Sequence, residues 1–238
     1  KEIIGGKSDY AYLMDWNDYH APRVLGQLLE KGLKAKVATK PCEAMCKSGT
    51  AYKFDYGTIM IPANQELMSS DKLYTLLSQL STENGVSIYG IATGLASAGI
   101  DMGSPSFSAL RAPKALLLVG DGISPYDAGE VWHLLDQRFD MPLAVVDAKR
   151  AKSLNMSDYQ TLIMTDGNYA SLSGEAVRDW VTGGGTVVAM KGANKWLKSH
   201  GLSGVEFKAS ATPKRKGPYA DLSNVSGAQY IGGNIVEA

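Results

Sequence analysis

The chain has 238 residues, and its 24 Lys and Arg balance 24 Asp and Glu, a formal net charge of zero. That balance argues against a nucleic-acid or anionic-membrane surface as the main role. No apolar run reaches the length of a membrane span, and no signal peptide opens the sequence.

In chain order, Tyr10 to Met14 is a short apolar run that reads as a strand. Ala21, Val24, Leu25, Leu28 and Leu29 follow at the spacing of one helix face, with Gly32 as the stop. Ala35 to Thr39 and Thr58 to Ile61 read as strands separated by a loop. Asp71 is the expected cap of a helix whose inner face is Leu73, Leu76, Leu77 and Leu80. Gly85 ends that helix, and Val86 to Ile91 is the next strand.

The second half repeats the order. Ala115 to Val119 is a strand, and Ser124-Pro125 caps a helix with Ala128, Val131, Trp132 and Leu135 inward. Leu143 to Val146 and Thr161 to Met164 are strands. Ser173 starts a helix with Ala176, Val177, Trp180 and Val181 inward; Gly183 to Gly185 stops it before a strand at Thr186 to Met190. Phe54 to Met60 parallels Ser157 to Ile163, and Glu83 to Ser87 parallels Gly183 to Val187, both at an offset of about 100 residues. The expected fold is α/β: two copies of a β-α-β-β-α-β unit, each a flavodoxin-like parallel sheet with helices on both faces. The units are assigned to 1–111 and 112–238, the boundary falling in the polar stretch Ser104-Pro105 to Pro113. Periodicity fades beyond Leu202, and Pro213 to Pro218 reads as a loop with a solvated basic cluster.

Ligands bind beyond the carboxyl ends of strands in an open parallel sheet. In the first half those ends carry Asp15, Pro62-Ala63-Asn64 and a turn at 90–94. In the second half the ligand-binding candidates are Asp121, Ser124, Asp166, Asn168, Lys191 and Asn194. Gly120 to Gly129 is glycine-rich, but Pro125 stands where a dinucleotide fingerprint needs its third glycine, so a capping turn is favoured over an anion cradle. Glu130 and His133 sit at i, i+3 on a helix and lack a third metal ligand; a surface pair is the favoured reading. No metal or cofactor is therefore assigned to this chain. Cys42 and Cys46 read either as two free thiols, the favoured alternative, or as a short-loop disulfide.

Val86 to Ala96 contains Gly90-Ile91-Ala92-Thr93-Gly94 and resembles the strand, elbow and helix of class I glutamine amidotransferases. Gly57 to Asn64 is similar to the strand of that family that ends at the oxyanion hole. The resemblance implies an elbow at Ala92, where the family carries its cysteine nucleophile, and a doubly wound fold over roughly residues 8–100. Ala92 cannot attack a carbonyl, Ala63-Asn64 replaces paired glycines, and no histidine lies between His20 and His133. The equivalent position of the second unit is Lys191, a group able to form a Schiff base only if desolvated. The implied scaffold therefore has vacant catalytic positions at Ala92 and Lys191.

Longer phrases, among them Asp15-Trp16 through Arg23, Gly99 to Phe107, Ser124 to Phe139 and Gly227 to Gly233, resemble the amidotransferase-like C-terminal region of bacterial zinc carboxypeptidase-family proteins. With Lys1 in place of an initiator Met, the sequence reads as a piece of such a polypeptide. The resemblance implies a periplasmic or secreted enzyme whose zinc sits in an N-terminal peptidase domain outside this sequence. The region itself is then a non-catalytic accessory that supports the peptidase, dimerises or feeds it substrate. A peptide- or glycan-binding module using the strand-end loops and a hydrolase with an unrecognised nucleophile are the alternatives.

Overall fold

A computed structural model describes residues 2–207. The Pro213–Pro218 and Gly227–Gly233 segments lie outside the described residues. Residues Lys1–Ser203 form one compact unit, which is α/β and contains two sheets, one antiparallel and one parallel.

The first sheet contains β1 (Ala11–Met14), β2 (Lys36–Ala38), β3 (Cys42–Cys46), β4 (Ala51–Phe54), β5 (Ile59–Pro62), β6 (Ile88–Gly99) and β7 (Phe107–Ala109), in the order β4-β3-β6-β1-β5-β2-β7. Every neighbouring pair is antiparallel. The helices α1 (Ala21–Glu30) and α2 (Ser70–Asn84) connect β1 to β2 and β5 to β6. Each crossover skips one position: β5 fills the gap between β1 and β2, and β1 fills the gap between β5 and β6. The core strands thus take the split β-α-β arrangement of ferredoxin-like folds. This corrects the parallel first unit expected from the sequence.

The reason for the difference is two-sided burial. An unbroken apolar run reports a strand covered on both faces, which is usual in parallel sheets but not confined to them. All four residues of β1 are buried. Tyr12 and Met14 join Ile59, Ile61 and Ile88 beneath α1 and α2, so both helices lie on one face. Ala11, Leu13, Met60 and Ile91 point the other way, against Cys42, Ala44, Cys46, Phe54, Met102 and Phe107. The sheet curls, and its β3–β4 hairpin covers the second face. It occupies the stretch between Thr39 and Thr58 for which the sequence predicts a loop.

Local chemistry fixes the helix ends. Gly32, at φ 73°, ends α1 in a Schellman motif: its N–H donates to the Leu29 carbonyl, and the Leu33 N–H donates to the Leu28 carbonyl. Ser69, not Asp71, caps α2 by accepting from the Lys72 N–H, and Gly85 at φ 66° closes it.

The expected elbow is not a turn. Residues 88–99 run through it as the single strand β6, and Ala92 is an exposed mid-strand residue. Its glycines serve close approach instead. A Cβ on Gly90 would stand 2.2 Å from the Gly6 carbonyl oxygen, because Ile4 pairs with Tyr89 alongside. A Cβ on Gly94 would stand 2.3 Å from the Tyr10 hydroxyl. Glycine in a strand interior marks such contacts.

The second sheet is parallel, with β8 (Ala115–Val119), β9 (Leu143–Asp147), β10 (Thr161–Met164) and β11 (Thr186–Ala189) in the order β11-β10-β8-β9. In chain order this is 2-1-3-4, the doubly wound order. One face holds α3 (Pro125–Trp132) over Ala115, Leu117 and Ile163. The other packs Leu116, Leu118, Leu162 and Met164 against α4 (Gly174–Thr182) and α5 (Ala193–Ser199). A six-residue π-helical turn, His133–Arg138, extends α3. The two halves differ in element order, through the β3–β4 hairpin, and in topology, and they are not copies of one unit.

Gly90→Ala is expected to destabilise the fold by about 1–3 kcal/mol, because the clash is with backbone that cannot swing away. Ala92→Ser, on the exposed strand surface, is expected to stay within about 0.5 kcal/mol. Urea unfolding of the two variants checks this; equal midpoints would contradict the close-approach account.

Candidate functional site

The carboxyl ends of β8, β10 and β11 bring all six ligand-binding candidates to one end of the parallel sheet. Strand order reverses between β8 and β10, which is where a doubly wound sheet opens a crevice. Here that crevice is stitched by backbone bonds. The Ser124 N–H donates to the Asp166 carbonyl at 2.8 Å, and the Asn168 N–H donates to the Gly122 carbonyl at 2.8 Å. Ile123 and Gly167 form an antiparallel bridge. A Cβ on Gly167 would stand 2.7 Å from the Ile123 Cα, so only glycine allows the two loops to close.

Each candidate side chain already has a structural partner. Ser124 caps α3 by accepting from the Asp127 N–H. Asp166 Oδ1 accepts from the Gly192 N–H at 2.9 Å, tying the β10 loop to the β11 loop. Asn168 Oδ1 accepts from the Ala170 N–H, and Asn194 Nδ2 donates to the carbonyls of Ala189 and Lys191. Asp121 pairs with Lys149 Nζ, linking the loops after β8 and β9. Lys149 is a member of this network that the sequence reading missed; nothing local in the sequence marks it, since the pairing depends on β9 lying next to β8.

Lys191 stands between β11 and α5 with φ 49°, one of two non-glycine residues in the left-handed region among the described residues. A strand, a strained turn and a helix are the parts of an elbow, and they occur here, at Lys191, rather than at Ala92. The group at its apex is paired with a carboxylate. Lys191 Nζ lies 2.6 Å from Asp127 Oδ1, and this hydrogen bond raises the lysine above its usual range and lowers the carboxylate below its own. The pairing favours the protonated form of the lysine, whereas a Schiff-base lysine needs the neutral one. Asp121 and Lys149 shift in the same two directions through their own hydrogen bond.

The remaining candidates hold structural positions. Ala63 is buried and spends its N–H on the Tyr10 carbonyl. His20 Nδ1 faces the Asn84 carbonyl at 3.2 Å, and His200 stacks on Trp196 with ring centroids 4.2 Å apart. Glu130 and His133 are exposed, and no group of three His, Cys, Asp or Glu side chains converges among the described residues. Cys42 and Cys46 are free and buried, and burial pushes both thiols up. Hollows of about 410 and 390 Å³ open at the opposite end of the parallel sheet, where they share Tyr159.

Comparison of the chain with family models, curated proteins and solved structures gives no match.

The Lys191–Asp127 pair has a two-sided pH signature. Asp127 is depressed in the fold, so its contribution is present above the unfolded carboxylate range and lost as pH falls through its lowered pKa. Lys191 is raised, so its contribution is complete below the unfolded lysine range and lost as pH rises through its raised pKa. The melting-temperature difference between the parent chain and Lys191→Met is expected to be flat from about pH 5 to 9 and to shrink at both extremes. A difference that titrates near neutrality would contradict the pairing.

Proposed function

We propose that the chain is a non-catalytic accessory region of a zinc carboxypeptidase-family enzyme, one that supports the peptidase domain, dimerises or feeds it substrate. The zinc and the peptidase domain belong to sequence outside this chain, and the whole enzyme works in the periplasm or outside the cell. The amidotransferase-like, flavodoxin-like part of this reading now rests on the parallel second half, whose elbow carries Lys191.

One observation carries the non-catalytic reading: the polar groups at the strand ends bond to one another. An active site keeps a nucleophile or base poised toward open space. Here the elbow lysine is held as a cation by Asp127, and Asp166 and Asn168 are committed to backbone N–H groups. The same commitment weighs against a peptide- or glycan-binding module at these loops and against a hydrolase built on Lys191.

Turnover of glutamine and of C-terminal peptide substrates by the purified chain is expected to stay at the buffer rate, and Lys191→Met is expected to change nothing. Turnover above buffer that Lys191→Met abolishes would overturn the proposal.

A further inference from the structure

The two sheets are joined by the segment 111–114, of which Arg111, Ala112 and Lys114 are exposed, and a seam of side chains also links them. Arg23 and Gln27 stand one turn apart on α1 and converge on a single oxygen of Asp140. Arg23 Nε donates to Asp140 Oδ2 at 2.7 Å, and Gln27 Nε2 donates to the same oxygen at 2.9 Å. Tyr19 and Phe139 meet beside them with ring centroids 5.7 Å apart. Gly26 lies close to the Phe139 carbonyl, 3.6 Å from where its Cβ would stand. Among the described residues, Arg23–Asp140 is the one ion pair that crosses between the halves; the other five lie within one half or the other.

The backbone presenting Asp140 is specialised. The π-helical turn His133–Arg138 exits through wide bonds, with the Phe139 N–H donating to Leu134 and the Met141 N–H donating to Leu135. π-Turns are rare and recur at functional positions. Asp140 then adopts φ 49°, a region that costs Asp and Asn less than most other side chains. Gln27 Oε1 is buried without a hydrogen-bond partner, a polar group left unsatisfied where its amide nitrogen reaches the carboxylate. Arg23 and Asp140 side chains are 37% and 36% exposed, sheltered enough to be screened less than a pair in open solvent.

We propose that Asp140 is a latch that fixes the orientation of the two sheets, and that unpairing it turns the chain into two lobes hinged at residues 111–114. The left-handed conformation aims the carboxylate, and Arg23 and Gln27 read its position. Surface ion pairs inside one half tie elements of that half together, whereas this pair restrains the relation between two cores.

Distance distributions between spin labels on Lys72→Cys in α2 and Glu175→Cys in α4, both exposed, test the latch in the full chain. The buried Cys42 and Cys46 stay unlabelled. The parent is expected to give one narrow distribution. Asp140→Asn keeps a residue tolerant of the left-handed region and removes the charge; Arg23→Met keeps the apolar stem. Both are expected to broaden the distribution about twofold, since charge-assisted hydrogen bonds are lost. Lys7→Met, which removes the Lys7–Asp71 pair inside the first half, is the control and is expected to leave the width unchanged. Seam variants that keep the parent width, or a control that broadens equally, would overturn the latch. If Asp140→Asn fails to fold, Arg23→Met carries the test.

Discussion

Burial of the central strands on both faces is the constraint from which the first half follows. β1 offers Tyr12 and Met14 to the helices and Ala11 and Leu13 to the curled hairpin side, and all four are buried. Each large apolar side chain removed from water in this way contributes about 1.5–3 kcal/mol, so neither face can be left open. Two helices suffice for one face. The other is closed only because β6 extends to Gly99 and carries β3 and β4 around with it. An elbow at Ala92 would end β6 at its fourth residue and remove the strand on which that second core is built.

The parallel half meets a different constraint at its strand ends. Parallel strands deliver every loop between a strand and its following helix to one end, where carboxylates and lysines accumulate. In many doubly wound proteins such groups face a ligand. Here Asp121, Asp127 and Asp166 instead bind Lys149, Lys191 and the Gly192 N–H, so each carboxylate is held by a neighbouring segment. Exposed ion pairs contribute little individually. Their consequence is geometric: the loops hold one another, and the crevice at the strand-order reversal is closed by Ser124, Asn168 and the Ile123–Gly167 bridge.

Element type was more legible in the sequence than topology. The helix faces of α1 and α2 and the strands β1, β5, β8, β10 and β11 were readable because periodicity and glycine stops are local signals. The β3–β4 hairpin was not, since Cys42-Glu-Ala-Met-Cys46 alternates only weakly and Ala51 to Phe54 mixes exposed and buried residues. Strand direction was unreadable in the first half because a doubly buried antiparallel strand has the same unbroken apolar run as a parallel one. Gly90 and Gly94 mimicked an elbow because close approach and tight turning select the same residue. In the second half Lys191 was legible as a strand-end residue, while its partner Asp127 lies 64 residues away and is joined to it only by the fold.

Nuclear Overhauser contacts across the first sheet give the most direct test of the antiparallel first half and its continuous β6. The expected result is backbone contacts from Leu13 to both Met60 and Tyr89 in antiparallel register, with strand-type sequential contacts continuing from Ile91 to Gly99. Parallel-type contacts between these strands, or helical sequential contacts beginning near Thr93, would contradict it and restore the elbow.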